Sequence, residues 1–399
     1  MKYLILVGDG MGDLGLEELG GKTPLAAART PNMDRLARHG VLGLARTIPP
    51  GKEPGSDTAN MSLMGYDPAR YHTGRAPIEA ASLGVELREG EVAFRCNLVN
   101  LEVQGGHATM RDYSSGHIDS PAAAKLIQHL DQELGRQGLR FYPGVSYRHL
   151  LVWKYGPLAA ATVPPHDRTG QSVDDVLAEE GELSSITQLT RASWPLLADH
   201  PVNRERQAAG QVPANSIWLW GQGTRPSFPT YAERFGLSGV AISAVDLIKG
   251  LGVLAGLTPV EVPGATGYLD TNYQGKVDAT LAGLAQGDVA FLHVEAPDEA
   301  SHGGVLANKL KAIEDFDARV VGPVLEGLQN LGPHRVLLAT DHFTPLSTRT
   351  HGDQPVPFVL WDSTQPVRGG GGYDEASAGA TGLMVDQAHT LAARLIEGE

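Results

Sequence analysis

The chain has 399 residues and 42.3 kDa, with 42% hydrophobic and 20% charged residues, which allows two or three domains with real cores and argues against disorder. Lys+Arg 32 against Asp+Glu 46 leaves a formal charge of −14, the wrong sign for a surface that tracks nucleic-acid phosphates. One cysteine, Cys96, excludes an intrachain disulfide framework or a cysteine-built metal site, and no run reaches the ~18 apolar residues of a membrane span.

The first apolar run, Tyr3–Val7, breaks at Gly8-Asp9-Gly10 and is too short for a secretory signal, so a cytoplasmic protein is expected. Val41–Ala45, Val240–Ser243, Val289–Glu295, Arg335–Thr340 and Phe358–Trp361 read as further core strands. Helices are expected over Asn32–His39, Ala122–Arg136, Asp246–Leu254, Gln274–Leu284, Lys309–Leu328 and Ala380–Glu397. The alternation is that of an α/β fold, a mostly parallel sheet sandwiched by helices. From about Tyr66 to Phe235 the pattern changes: strands such as Glu91–Leu101 and Leu150–Trp153 lie among Pro-rich turns (Val163-Pro164-Pro165, Thr224-Arg225-Pro226). A smaller α+β domain inserted at 67–234 is therefore expected, with 1–66 and 235–399 forming one discontinuous domain. The run Gly369–Gly372 reads as a mobile loop.

Gly10-Met11-Gly12-Asp13-Leu14-Gly15 fits the dinucleotide fingerprint G-x-G-x-x-G. Its glycines run into the loop-like stretch Glu17–Pro24 instead of opening a helix, so that reading is discounted. Asp9, just before it, stands at a strand end, where open α/β sheets place their ligands.

Three other segments share this shape. In the first, Asp298 and His302 follow the strand at Val289 four residues apart, so on a helical turn they face one way. In the second, Asp341 and His342 end the strand at Arg335; in the third, His351 lies in the polar loop Ser347–Asp353. An Asp after a strand is by default a cap or turn residue, and no one segment points to chemistry. Together with Asp9 they place six metal-ligand side chains at strand ends, enough for two ions such as Mn²⁺, Zn²⁺ or Mg²⁺. Paired cations recur in phosphoryl transfer because they clamp both attacking and leaving oxygens. Ser56 follows a Pro-Gly turn and opens a helix, whose N-terminus favours an anion. Alone it reads as a cap; beside a metal pair its hydroxyl can ionise and attack phosphorus.

These residues resemble the alkaline phosphatase superfamily and, within it, the archaeal-type 2,3-bisphosphoglycerate-independent phosphoglycerate mutases. The marks are Leu6-Val7-Gly8-Asp9-Gly10-Met11-Gly12-Asp13, Thr30-Pro31-Asn32-Met33-Asp34, Pro54-Gly55-Ser56-Asp57 through Gly65-Tyr66-Asp67-Pro68, Phe94-Arg95-Cys96-Asn97, Ala296-Pro297-Asp298-Glu299-Ala300-Ser301-His302 and Thr340-Asp341-His342, which span essentially the whole chain. The resemblance implies an alkaline-phosphatase-like fold, with one ion held by Asp9, Ser56, Asp341 and His342 and a second by Asp298, His302 and His351. It implies manganese as the usual ion, with zinc, cobalt or magnesium open, and a phosphoserine on Ser56. The activity implied is an isomerase of glycolysis and gluconeogenesis, interconverting 3-phosphoglycerate and 2-phosphoglycerate.

Such an enzyme must hold and turn the glycerate while excluding water, a physical reason for an inserted cover domain. Arg95, Arg148 and Arg225 in the insert, with Lys249 outside it, stand in segments that look like the family's and are candidates to hold carboxylate and phosphate. Arg75 is a further candidate, and His166 with Asp167 is the candidate proton shuttle for the glycerate hydroxyls. Cys96 is expected to be buried rather than reactive. The alternative on the same ligands is a metal-dependent phosphomonoesterase or phosphotransferase, because substrate choice rests on the insert; a non-catalytic metal-binding protein is the remaining reading. The expected partner is a small-molecule phosphoglycerate, with no nucleic acid or membrane and a homo-oligomer left open.

Overall fold

The apolar run at the N-terminus forms the strand Lys2–Gly8, whose residues Leu4–Val7 are buried on both faces of a sheet, in a computed structural model that describes residues 1–365 and 370–398. Burial on both faces is what a continuous apolar run, rather than an alternating one, requires in a parallel sheet. Among the described residues the strands are β1 (Lys2–Gly8), β2 (Val41–Ala45), β3 (Glu91–Gln104), β4 (His107–Asp112), β5 (Leu139–Tyr142), β6 (Arg148–Lys154), β7 (Ser216–Gly223), β8 (Gly239–Ile242), β9 (Thr258–Val260), β10 (Val289–Val294), β11 (His334–Thr340), β12 (Val356–Asp362) and β13 (Met384–Val385). The chain divides into Met1–His72 with Ser227–Glu399, and Thr73–Pro226. The rings of Tyr66, Tyr71, Phe228 and Tyr231 stack on one another, which is why both stretches flanking the crossings belong to the first unit. No described helix is long and apolar enough to cross a membrane.

The first unit is an eight-stranded sheet in the order β13-β2-β12-β11-β1-β10-β8-β9. All neighbours are parallel except β12, which runs antiparallel to β11 and β2. Gly8 pairs with Val294 on one side and Thr340 on the other, so β1, β10 and β11 end level. Because β12 runs backwards, the loop 341–355 turns over on this same edge.

No helix follows β1; the first helical turn is Glu17–Leu19, so the glycine fingerprint does not open a dinucleotide site. Gly10 has φ +61°, and a Cβ there would stand 2.8 Å from the Cα of Asp298. Glycine is needed at that point for close approach, not for a phosphate cradle.

The expected helix Lys309–Leu328 is interrupted by a π turn, Asp317–Val321, between Leu306–Phe316 and Gly322–Leu328. The turn carries Asp317 to the start of the helix Pro31–His39, where its carboxylate accepts from the backbone N–H of Asn32 (3.1 Å) and Met33 (2.7 Å). Thr30, the residue at the cap position, makes no such bond, so Asp317 satisfies donors that the helix start would leave orphaned. The expected helix Ala380–Glu397 is a correction. The helix Glu375–Ala380 stops short of Gly382 (φ +71°), β13 then pairs with β2, and the chain turns helical again only at the 3-10 turn Ala388–Thr390, which leads into Leu391–Glu397. An unmet sheet edge outcompetes helix propensity at that point. Of the expected glycine loop, Gly369 lies outside the described residues; Gly370 passes so near the helix Pro31–His39 that a Cβ would stand 2.8 Å from the carbonyl oxygen of Ala37.

The second unit is built on the long strand β3, which pairs with β4, β6 and β7. Alternation sorts its side chains: Phe94, Cys96 and Leu98 pack with Leu126, Ile127 and Leu130 of the helix Ser120–Glu133. Arg95 and Asn97 face the other way, and the antiparallel register puts Arg148 and Trp220 beside them on that face. Cys96 is fully buried, and burial pushes its thiol far up, out of the reactive range.

Replacing Asp317 by Ala leaves two N–H groups at the start of Pro31–His39, the buried one of Met33 and the half-buried one of Asn32, without that acceptor. A loss of about 1–3 kcal/mol is expected, read as a lower urea midpoint for the first unit.

Candidate active site and metal centre

Asp9 is the first residue past β1 and is 1% exposed. Its Oδ2 lies 2.9 Å from His293 Nε2, whereas Oδ1, although buried, makes no hydrogen bond. Asp341, the first residue past β11, accepts the N–H of Gly10 (2.9 Å) and its neighbour His342 (2.8 Å) on Oδ1, and the amide of Asn60 (2.8 Å) on Oδ2. Asn60 also donates to the carbonyl of Ser56 (2.9 Å), so one side chain couples the helix Ser56–Leu63 to β11.

Ser56 is the first helical residue, and Gly55 before it has no side chain to occupy the helix start. Its Oγ lies 3.2 Å from His342 Nε2. The imidazole is set by a chain of bonds: Thr344 donates its hydroxyl hydrogen to Asp298 Oδ1 (2.5 Å) and so accepts from His342 Nδ1 (3.2 Å). Nε2 therefore carries a lone pair, directed at Ser56 Oγ, Asp9 Oδ1 (3.3 Å) and Asp341 Oδ2 (3.4 Å). Four electron-rich atoms, His342 Nε2, Ser56 Oγ, Asp9 Oδ1 and Asp341 Oδ2, thus converge.

A second convergence adjoins it. Asp298 and His302 lie on the helix Ala296–His302 at i and i+4, with Asp298 Oδ2 3.1 Å from His302 Nε2 and 3.5 Å from His351 Nε2. The two imidazole nitrogens are 3.1 Å apart, and His302 Nδ1 donates to the carbonyl of Arg349 (2.9 Å), leaving Nε2 as the inward atom. The structure thus brings together Asp9, Ser56, Asp341 and His342 in one group, and Asp298, His302 and His351 in the other. Ligand atoms of Asp298, His342 and His351 all lie within 4.8 Å of one another, so the two groups abut.

The electrostatics call for cations. Burial, and then the charges of Asp341, Asp298 and Glu295, raise Asp9 well above the usual carboxylate range. Burial would also raise Asp298, but hydrogen bonds from His302 and His351 outweigh it and hold that carboxyl low. The same bond to Asp298 pushes His302 up to about 9. A proton on His302 thus does for Asp298 what a divalent ion would do better, and the orphaned oxygen of Asp9 offers a further electron-rich atom that a cation would satisfy. Carboxylate, imidazole and hydroxyl donors fit Mn²⁺, Zn²⁺ or Mg²⁺.

Sequence reasoning missed several residues of this edge. His293 is a histidine inside an otherwise apolar strand, and that was its only signal. Lys309 and Asp13 form a fully buried pair (2.8 Å); Lys309 also donates to the carbonyls of Gly12 (3.1 Å) and Thr344 (2.9 Å), tying the loops after β1 and β11 together. Lys249, on the helix Asp246–Leu254, is engaged with Glu261 (2.7 Å).

Within the second unit, Arg95 lies over the ring of Trp220 (4.3 Å) with its Nε 2.9 Å from Glu79, which Arg75 also reaches (3.2 Å). Burial lowers Arg95 to about 10, with Glu79 opposing that and Arg75 and Arg148 adding to it. Three guanidiniums against one carboxylate leave net positive charge on this face, suited to an anion. His166 stands beside it, edge-on to Trp220 (5.9 Å) and Tyr113 (6.2 Å). Asp167 is exposed and 3.6 Å from His166, beyond hydrogen-bond length. Arg225 is exposed and pairs with Glu86 (3.1 Å). His117, which no motif marks, joins the cluster through Tyr113 and Tyr147, in a turn where Ser115 and His117 both adopt positive φ. Two non-glycine residues held in that conformation two positions apart mark a strained, over-determined turn.

Residues 37–203 match the family model described as 2,3-bisphosphoglycerate-independent phosphoglycerate mutase. The chain is 53% identical over 398 residues to a probable 2,3-bisphosphoglycerate-independent phosphoglycerate mutase of Geobacter sulfurreducens, with 100% of both chains covered. It is 51% identical over 399 residues to the 2,3-bisphosphoglycerate-independent phosphoglycerate mutase of Methanothrix thermoacetophila, again with 100% of both covered. Among solved structures it is similar to a Pyrococcus horikoshii protein (TM-score 0.81, 27% identity, 99% of this chain and 96% of that one). It is also similar to the cofactor-independent phosphoglycerate mutase of Thermoplasma acidophilum (TM-score 0.66, 26% identity, 100% and 99% covered).

The raised pKa of His302 predicts how cation binding depends on pH. A ligating Nε2 must be neutral, so below about pH 9 a cation displaces a proton there. At pH 7 binding should release about one proton from this site, and affinity should climb roughly tenfold per pH unit towards pH 9. Calorimetric titration of the metal-free protein with Mn²⁺, in buffers of different ionisation enthalpy, reads the proton count directly.

Proposed function

The chain belongs to the 2,3-bisphosphoglycerate-independent phosphoglycerate mutase family, and we propose that it interconverts 3-phosphoglycerate and 2-phosphoglycerate through a phosphoserine on Ser56. The observation that carries this reading is the placement of the Ser56 hydroxyl at a helix N-terminus, 3.2 Å from an unprotonated imidazole nitrogen and beside a buried carboxylate oxygen with no partner. A nucleophile among electron-rich atoms makes chemical sense when cations complete the site. Asp9, Ser56, Asp341 and His342 would hold one and Asp298, His302 and His351 the other, with manganese the ion favoured by family resemblance. When bound, such a pair lowers the pKa of the serine hydroxyl and draws charge from the phosphoryl oxygens.

The residues of the chain supply the rest. Ser56 Oγ attacks phosphorus; its bond to phosphorus forms as the bond to the substrate's 3-oxygen breaks, and that oxygen takes up a proton. The N-terminal N–H groups of Ser56–Leu63 face the phosphoryl group. The freed glycerate is held by its carboxylate on the basic face of the second unit, where Arg95 and Arg148 offer the planar fork that fits it. His166 and Asp167 move protons on and off the two hydroxyls, and Arg75, Arg225, Lys249 and His117 are the further candidates to hold anionic groups. The 2-hydroxyl then attacks the phosphoserine and returns the group to glycerate. Water in place of that hydroxyl would make the protein a phosphatase, so retention of glycerate separates the two activities.

The deciding assay uses manganese-loaded protein with 3-phosphoglycerate and no 2,3-bisphosphoglycerate, following 2-phosphoglycerate and free phosphate together. The 2-isomer should form without phosphate release; phosphate alone would point to the phosphomonoesterase alternative. Ser56→Ala should lower kcat by more than about 10³-fold with the fold intact. Arg148→Ala, at an exposed position, should raise KM for 3-phosphoglycerate about 10- to 100-fold, the loss of a charge-assisted bond, while metal content stays unchanged.

A further inference from the structure

Beside the proposed cation site runs a line of buried polar groups that crosses three adjacent strands. Ser243, the residue after β8, is buried, and its Oγ accepts the N–H of Val245 (3.0 Å). The same Oγ lies 3.1 Å from His293 Nδ1 on the next strand. A cation-ligating carboxylate is ionised and accepts only, so His293 Nε2, 2.9 Å from Asp9 Oδ2 at the end of β1, carries the hydrogen of the neutral ring and leaves Nδ1 to accept from the Ser243 hydroxyl. The backbone is pinned on both sides of this histidine: Lys276 Nζ donates to the carbonyl of His293 (3.0 Å), and Asp9 donates its N–H to the carbonyl of Val294 (3.0 Å). Ligand atoms of Asp9, His293 and Asp341 fall within 4.8 Å of one another, so distance alone would admit His293 as a ligand. The hydrogens decide otherwise.

We propose that His293 is a positioning residue, which holds Asp9 Oδ2 through its Nε2–H so that only Oδ1 faces the cation, and which is not itself a ligand. The inference rests on the two-cation reading and deepens it. One carboxylate oxygen is occupied by a neutral donor, and the other is the orphaned atom of the pocket. Asp9 is thereby restricted to one-oxygen ligation in a single rotamer. The Ser243 hydroxyl, against Nδ1, complements the tautomer on which this depends, as an outer partner does for a ligating group.

The first test is made on the intact wild-type chain labelled with ¹⁵N-histidine, in a long-range ¹H–¹⁵N spectrum with the His293 signals assigned from His293→Gln. The Nε2–H tautomer is expected in the metal-free protein and again after loading with Zn²⁺. An Nδ1–H tautomer, or loss of the Nε2 hydrogen on loading, overturns the proposal. The second test is calorimetric titration with Mn²⁺. His293→Leu should weaken one of the two ions about 10- to 100-fold. His293→Gln, whose side-chain amide donates from a similar position, should stay within about threefold of wild type; equal losses in both variants overturn the positioning role. Asp341→Asn separates the two levels of the argument. If it binds as many ions as wild type, the two-cation reading itself has failed; if it loses an ion while His293→Gln fails to rescue, only the role of His293 has failed.

Discussion

Carboxylates of like charge cannot share a dry pocket without a compensating positive charge. Asp9, Asp298 and Asp341 are buried at one sheet edge, and the surrounding arrangement follows from the need to neutralise them. Protons and imidazoles do so in part: Asp298 is held low by two histidines, while Asp9, lacking such help on Oδ1, is driven up. The buried ammonium of Lys309 is one layer removed, where Asp13 engages it. It braces the loops of the pocket by tying Gly12 and Thr344 together, and it does not itself reach the pocket's carboxylates.

The backbone makes that pocket inevitable once the strands pair. Because β1, β10 and β11 end in register, the residues that follow them are crowded together before any side chain has been chosen. The reversed strand β12 folds the loop with His342, Thr344 and His351 back over the same edge. Thr47, donating to the carbonyl of Asp341 (2.6 Å), and Asn60 complete the link to the helix that carries Ser56. The Ser56 hydroxyl is thus fixed by bonds to the strand ends and not by its own loop alone.

Much of this was legible because strand ends are legible. An apolar run that stops at Asp or His announces both the element and the place of the residue, which is why Asp9, Asp298, His302, Asp341, His342 and His351 could be collected at strand ends before any coordinates, with Ser56 joining them as a ligand through the family resemblance. What stayed hidden had no such contrast. His293 sits within an apolar strand, where a histidine reads as core, and only the neighbours on either side reveal its hydrogen. His117 lies in a turn whose strain is a property of φ, invisible in a string of letters. The helix misread over Ala380–Glu397 failed for a long-range reason: β2 needed a partner for its outer edge, and residues with fair helical pattern were taken for it. Arg225 and Lys249 look like anion ligands in sequence, yet each stands against a carboxylate of its own unit, a pairing that spacing along the chain does not disclose.

The discontinuity of the first unit has a consequence for how the chain is made. β1 leaves the ribosome well before its two neighbours in the sheet, β10 and β11, which follow about 280 and 330 residues later. At about 5–20 residues per second, an apolar strand with two unmet edges waits on the order of tens of seconds for its partners. Thr73–Pro226 is contiguous and can fold during that interval, ahead of the sheet that flanks it in sequence. A nascent chain stalled before β10 would then hold one finished unit and one exposed, aggregation-prone strand, which makes the N-terminal segment a natural client for chaperones during synthesis.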